Sequence, residues 1–203
     1  MNKIVKNTLI LTAITVVSGL LLGAVYGVTK EPIAAAQENT KQEAFRAVMA
    51  DASEFVTYED FDAESASALL SDNGYTSDSI SEVAVAQDAG GETIGYVINV
   101  TSSEAYDGEL QLSVGIASDG TVKGVEMLSI SETAGLGMKA DEAEFKDQFK
   151  DKNVAQFSYT KTGEEGDDKI DAISGATITT NAVTNAVNSA LVYFQNELGG
   201  GAE

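Results

Sequence analysis

Between Thr8 and Val28 the chain runs for 21 residues without a charged side chain. At 1.5 Å per residue, a helix of that length spans about 31 Å, which matches the hydrocarbon core of a bilayer. A single membrane-spanning helix is therefore expected at the N-terminus. Lys3 and Lys6 precede the run and Lys30 follows it, whereas all 32 acidic residues lie from Glu31 onward. Lysines ahead of the span predict a cytoplasmic N-terminus and place the remainder on the outer, extracytoplasmic face of the cell membrane. That remainder carries nine basic residues against the 32 acids, a net charge of −23. Two other readings export the same segment. A cleaved signal peptide could use Ala34-Ala35-Ala36, but signal-peptide apolar regions run only about 7–15 residues. A pilin-like helix lacks the acidic residue expected near the start of its apolar stretch.

Composition narrows the chemistry. The 203 residues amount to one domain and an appendage, and 43% hydrophobic residues with one Pro describe a chain that packs a core. A whole-chain charge of −20 argues against nucleic acid as a partner. There is neither Cys nor His. Thiolate and imidazole ligands, Cys nucleophiles, imidazole bases and disulfides are all excluded, and with them Fe–S clusters and the usual structural zinc sites. No metal site is expected. The acidic stretch Glu164-Glu165-Gly166-Asp167-Asp168 lacks the alternating ligand pattern of an EF-hand and reads as a solvated loop. Redox chemistry in such a chain has to come from an organic cofactor.

The element pattern predicts an α+β fold: one N-terminal transmembrane helix, then a domain of antiparallel hairpins with helices packed on them. The segments are 1–30 for the cytoplasmic N-terminus and anchor, 31–80 for a juxtamembrane helical stretch, and 81–203 for the main domain. Helices are expected over Glu38–Met49 and Glu64–Leu70, the second closed by Asp72-Asn73-Gly74. Strands Glu82–Gln87 and Thr93–Thr101 flank Gly90-Gly91, with Ile94, Tyr96, Ile98 and Val100 on one face. Leu110, Leu112, Val114 and Ile116 alternate before Ser118-Asp119-Gly120 turns the chain into Thr121–Ile130. A glycine-bearing loop follows from Ser131, then a helix over Glu142–Phe149, a strand over Gln156–Thr160 and an acidic loop over Gly163–Lys169. Val183, Val187, Ala190, Leu191, Phe194 and Leu198 give the final segment, Ile178–Leu198, the spacing of an amphipathic helix.

Immediately ahead of that helix stands Asp171-Ala172-Ile173-Ser174-Gly175-Ala176-Thr177-Ile178-Thr179-Thr180. Unpaired N–H groups and the positive end of the helix dipole favour an anion here. Gly175 and Ala176 leave room for a phosphate ester to approach the backbone, and Ser174, Thr177, Thr179 and Thr180 offer hydroxyls. An ordinary Ser/Thr helix cap explains the same residues.

Asp-x-x-Ser-Gly-Ala-Thr resembles the flavinylation motif of the FMN-binding domain family. In that family a flavin transferase moves FMN from FAD onto the Thr that follows Gly-Ala. The resemblance implies Thr177 as the acceptor of a phosphoester-linked, covalent FMN, Asp171 as the acidic residue the transferase requires, and Ser174, Gly175, Ala176, Ile178 and Thr180 as neighbours of the cofactor. Glu132-Thr133-Ala134-Gly135-Leu136-Gly137 is similar to the family's Glu-Thr-Pro-Gly-Leu-Gly loop over the flavin ring. It makes Glu132, Thr133, Leu136 and Gly137 candidate contacts, with Lys139 and Lys161 as candidates for stabilising an anionic reduced flavin. Ala134 departs from the usual Pro, and Ser129 stands near a frequent His. Tyr106-Asp107-Gly108, Val114-Gly115-Ile116 and Asp119-Gly120 follow the family's order.

With the N-terminal anchor included, the likeness covers nearly the whole chain and is strongest to G subunits of Rnf ion-translocating electron transport complexes. It implies an FMN electron relay in a ferredoxin:NAD oxidoreductase translocase, holding neither the ferredoxin nor the nicotinamide site itself. Its implied partners are the other membrane subunits of the Rnf complex, a flavin transferase for maturation, and the lipid bilayer. Alternatives are the C subunit of a Na⁺-translocating NADH:quinone reductase, a free-standing extracellular FMN carrier, and a non-redox anion-binding module.

Overall fold

In a computed structural model describing residues 2–199, the chain divides into two units, one ending at Thr40 and the other beginning at Lys41. The first helix, α1 (Lys3–Val48), is 46 residues long and continues through Pro32, which removes one backbone donor without ending it. The transmembrane run and the juxtamembrane helix predicted separately are therefore one helix. Leu9, Leu20, Leu22 and Val28 are all more than half exposed. An apolar surface on every side of a helix suits lipid and not a protein groove, and α1 is long and apolar enough to cross a membrane.

The second unit is built on a five-stranded antiparallel meander, β1 (Glu54–Thr57), β2 (Asp78–Gln87), β3 (Thr93–Ala105), β4 (Gly108–Ala117) and β5 (Val122–Ser129), in the order 1-2-3-4-5. Both predicted hairpins are present, each strand pairing with its sequence neighbour. Alternation decides the faces. Ile98, Val100, Leu110, Leu112, Val114 and Ile116 point to one layer, which is closed by α2 (Ala63–Asp72) and by α4 (Thr177–Glu197) through Val183, Val187, Leu191 and Phe194. Ala84, Ala86 and Val97 point to the other, where Phe45 and Val48 from the last turns of α1 cover them. Period two places Ile94 beside Ile98, but it packs in the second layer instead. The register skips it between Ala86↔Gly95 and Gln87↔Thr93, and this bulge reverses the alternation.

Two close features hold the α1 end in place. Gly115, buried on β4, lies against the Val48 backbone, so any side chain there would collide with it. Beside this contact runs a polar chain: Ser113 Oγ donates to Asn99 Oδ1 (2.6 Å), Asn99 Nδ2 to Glu82 Oε2 (3.2 Å), and Lys41 Nζ to Glu82 Oε1 (3.1 Å).

Three local expectations change. β1 falls within the stretch 31–80 read as helical, because a four-residue edge strand with mostly exposed side chains shows no alternation. The helix expected over Glu142–Phe149 is a 3₁₀ turn (Gly137–Asp141), a single α turn α3 (Ala143–Lys146) and another 3₁₀ turn (Asp147–Phe149). Its path follows the edge-to-face packing of Phe149 with Phe145 and Phe157, at centroid distances of 5.8 and 5.1 Å. Finally, β6 (Ser158–Thr160) pairs in parallel with β7 (Lys169–Asp171), so the acidic loop ends in a strand that leads into the Asp171–Thr180 segment.

Candidate functional site

After β7 the chain makes a turn fixed from inside. Ala176 N donates to Ile173 O (3.0 Å), Ile173 N donates to Thr180 Oγ1 (3.0 Å), and Thr180 Oγ1 donates to Ala176 O (3.0 Å). Ile173 and Thr180 are buried, so the turn is anchored in the core, and Gly175 completes it with φ +80°, a conformation costly for any side-chain-bearing residue. Helix α4 then begins at Thr177. Its N-cap residue is Ala176, with no side-chain cap, and no acid lies in its first turn. By contrast, Asp62 caps α2 by accepting from Ser65 N at 2.7 Å. An ordinary Ser/Thr cap thus does not account for the hydroxyl-rich sequence here. The first turn of α4 instead keeps its orphan N–H groups and their partial positive charge.

The hydroxyls of this segment divide in two. Thr179 Oγ1 donates to Glu132 Oε1 at 3.0 Å and Thr180 is committed to the turn. Among the described residues, the Thr177 and Ser174 side chains make no hydrogen bond. Ser174 is exposed, and Thr177 is half-buried at the first helical position.

The loop 132–137 is brought to this point by its contacts with α4 and Gly175. Besides Thr179, Glu132 Oε1 accepts from Tyr106 N at 2.8 Å, so one carboxylate joins β3's end, the loop and α4. Gly137 lies buried beneath the Glu132 side chain, which a Cβ would approach within 3 Å. The Thr133 carbonyl accepts from Leu136 N and Met138 N, folding the loop so that Leu136 sits over Gly175, where a Cβ would lie 3.1 Å from its Cδ2. Among the described residues from 41 onward, four large hydrophobic side chains are exposed, and three of them, Tyr106, Leu136 and Ile178, belong to the segments that meet here. Apolar side chains gathered at the surface around a polar helix start suit a ligand with a flat apolar part and an anionic part.

A cavity of about 210 Å³ adjoins the segment, lined by Lys139, Phe145, Gln148, Asp171, Ile173 and Ser174 among others. Thr177 and Ile178 lie outside its lining. Asp171 is exposed, and its backbone N–H donates to Gln148 Oε1 at 2.6 Å. Lys139 is an exposed side chain on this cavity, while Lys161, also exposed, sits in the loop after β6 and is not part of it. Sequence reasoning passes over Gln148 and the latch from Glu132 to Thr179. Neither has a local signature, since their partners lie 23 and 47 residues away.

The family models that match are the FMN-binding domain, over residues 105–192, and the RnfG N-terminal region, over residues 1–48. The G subunit of the ion-translocating oxidoreductase complex of Methanosarcina acetivorans is 32% identical over 201 residues, covering 98% of both chains. The chain belongs to this G-subunit family. A second member, the G subunit of the proton-translocating ferredoxin:NAD(+) oxidoreductase complex of Clostridium ljungdahlii, is 31% identical over 98% of this chain and 96% of its own. The G subunit of the Na(+)-translocating ferredoxin:NAD(+) oxidoreductase complex of Acetobacterium woodii is 38% identical over 52% of each. The fold is shared with the crystal structure of the C subunit of the Na(+)-translocating NADH-quinone reductase from Parabacteroides distasonis, at TM-score 0.50 and 24% identity over 71% of this chain and 77% of that one. The FMN-binding region takes in both segments of the site, 132–137 and 171–180. The residues present fit FMN: uncapped N–H groups and uncommitted hydroxyls for the phosphate, and exposed Leu136, Ile178 and Tyr106 for the ring.

Proposed function

We propose that this G subunit is a membrane-anchored electron relay whose FMN is bound by a phosphoester to Thr177. The observation that carries the reading is the Thr177 hydroxyl, uncommitted and half-buried at the uncapped start of α4, beside a loop latched in place by Glu132. In forming that link, a bond is made from Thr177 Oγ to the flavin-side phosphorus of flavin adenine dinucleotide, the P–O bond to adenosine monophosphate breaks, and the hydroxyl proton leaves to solvent. When bound, FMN supplies exchange between two-electron and one-electron donors and acceptors.

The chain's own residues set the conditions. The N–H groups at the start of α4 stabilise the phosphate's negative charge. Thr180 and Ile173 hold the attachment turn rigid, and Leu136 and Ile178 offer the ring an apolar bed that excludes water from one side. Glu132 and Thr133 position Leu136, Gly137 lets the Glu132 side chain close over the loop, and Ser174, Gly175 and Ala176 leave the phosphate room to approach. Lys139, at the edge of the adjoining cavity, favours added negative charge, while Lys161, in the loop after β6, is not part of that cavity and contributes little. A tether suits an exported cofactor, because no cytosolic pool can replace one that dissociates.

Lys3 and Lys6 hold the N-terminus in the cytoplasm, α1 crosses the bilayer, and the acidic domain faces the outer side. There it passes electrons between other membrane subunits of an Rnf complex that couples ferredoxin:NAD oxidoreduction to Na⁺ or H⁺ movement, as the names of its relatives describe for those proteins. The test is the intact mass of denatured full-length protein made with a flavin transferase, beside Thr177→Ala. The reading expects a gain of one FMN less one water in the wild type and none in the variant. An unmodified wild type, with the transferase active on a control substrate, would overturn it.

A further inference from the structure

Asp171 ends β7, and one edge of that strand belongs to β6, where Ala172 N donates to Thr160 O at 2.8 Å. The N–H and C=O of Asp171 itself point the other way, toward an edge with no strand beside it among the described residues. The Gln148 side chain takes the place of a strand there. Its Oε1 accepts the Asp171 N–H at 2.6 Å and its Nε2 reaches the Asp171 carbonyl at 3.5 Å. The first contact is a full hydrogen bond and the second a weak one. Gln148 is itself half-buried in the 3₁₀ turn Asp147–Phe149, next to Phe149, which has no exposed surface and packs edge-to-face with Phe145 and Phe157. The clamp is therefore tied to the aromatic core.

The result is a segment pinned at both ends. Gln148 fixes the backbone at Asp171, and Thr180 fixes it at Ile173 and Ala176. Between them the exposed groups are the Asp171 carboxylate, Ser174 and Gly175, while Ile173 and Ala176 face inward. An enzyme that has to recognise this stretch meets it already ordered, and the entropy of ordering a loop is not charged to the encounter. Without Gln148, β7 would keep its pairing to β6 but lose its outer hold, and the Asp171 peptide groups and side chain would sample a wider range about the strand direction.

We propose that Gln148 is a positioning residue for modification of Thr177: by clamping the Asp171 backbone it aims the Asp171 carboxylate outward for the flavin transferase. The proposal rests on Thr177 being the flavin acceptor. Gln148 touches neither Thr177 nor the incoming group. Its effect runs through Asp171, six residues ahead of the acceptor.

The test follows flavin incorporation into full-length protein by intact mass over time, with transferase and flavin adenine dinucleotide supplied. Gln148→Met keeps the length and volume of the side chain and loses both hydrogen bonds. Gln148→Glu keeps the acceptor that makes the 2.6 Å bond. The expected result is a kcat/KM for incorporation lowered about tenfold in Gln148→Met, comparable to losing one well-made hydrogen bond, and restored to near the wild-type value in Gln148→Glu. The urea midpoint of unmodified Gln148→Met should fall only by what one hydrogen bond contributes, leaving the variant fully folded under the assay conditions, so that unfolding does not account for the slowing. Incorporation into Gln148→Met at the wild-type rate would overturn the proposal. So would equal slowing in both variants, since the acceptor would then not be what matters. Wild-type protein that takes up no flavin marks failure of the underlying reading, a result separate from wild type and Gln148→Met loading equally.

Discussion

Glu132 and Thr179, 47 residues apart in sequence, meet through a 3.0 Å hydrogen bond from the Thr179 hydroxyl to Glu132 Oε1, the same oxygen that accepts Tyr106 N at 2.8 Å. A single carboxylate atom thereby ties together the end of β3, the 132–137 loop and the first turn of α4. Both bonds end on the same carboxylate oxygen, and hydrogen bonds to carboxylates are stronger than those between neutral groups.

Glu132→Ala should therefore destabilise the protein by about 1.5–3 kcal/mol, read from the urea midpoint of the full-length chain. Glu132→Gln keeps a carbonyl oxygen in place of Oε1 and should lose less. Equal losses in the two variants would mean that packing over Gly137, and not the shared acceptor, is what Glu132 supplies.

Gly115 makes the second strong expectation. It is buried on β4 with the Val48 backbone directly above it, and backbone cannot swing aside as a side-chain tip can. Gly115→Ala should cost about 1–3 kcal/mol, the usual penalty for overpacking. The strain falls on the last turns of α1. Tryptic cleavage after exposed Arg46 should consequently quicken, while cleavage after exposed Lys161, in the loop after β6, should not.

The parts of this architecture that repeat along the chain are legible in the sequence, and the parts made by distant meetings are not. Leu110 to Ile116 and Val183 to Phe194 carry periods of two and about 3.6, because each packs one face on a single core. The turn ahead of α4 is visible too, because its small residues, hydroxyls and place before a helix are local. β1 and β7 escape notice since three- and four-residue edge strands have too few inward positions to show a pattern. Glu142–Phe149 has helical spacing, but edge-to-face packing of Phe149 with Phe145 and Phe157 fixes its path, and tertiary contact overrides local propensity. Pairing of Gln148 with Asp171, or of Glu132 with Thr179, is not encoded by any spacing.

Lys139 and Lys161 are distinguished by the fold. Lys139 shares a cavity with Asp171 and Ser174, while Lys161 lies outside it. Lys139→Ala should shift the FMN midpoint to more negative potential in a redox titration, because a nearby cation favours the reduced, more negative cofactor. An exposed lysine contributes no more than about 1 kcal/mol, and added salt should shrink the shift. Lys161→Ala should leave the midpoint where it is. An unchanged midpoint in both variants would remove the lysines from the site.

Asp78 adds a pH-dependent contribution to stability that runs opposite to that of a salt-bridged carboxylate. It is 6% exposed at the start of β2, with Oδ2 accepting from Ser189 Oγ at 2.7 Å and Oδ1 without a partner among the described residues. Burial pushes its carboxyl above the ordinary range and the Glu104 charge adds to the rise, while hydrogen bonds from Ser102 and Ser189 oppose it. Glu104 is held nearby by Asn181 and Asn185 of α4, at 3.1 and 2.8 Å. With the native group raised, the unfolded chain gives up this proton first as pH increases. The native state then holds more protons than the unfolded one, so Asp78's contribution is full below the ordinary carboxylate range and is lost as pH rises through the elevated value. Asp78→Asn is neutral throughout and escapes the loss. Its urea midpoint relative to wild type should therefore rise across the acid-to-neutral range, as pH climbs above the ordinary carboxylate value. A difference between the two proteins that stays flat across that range would mean that Asp78 is ionised in the native state at acid pH as well.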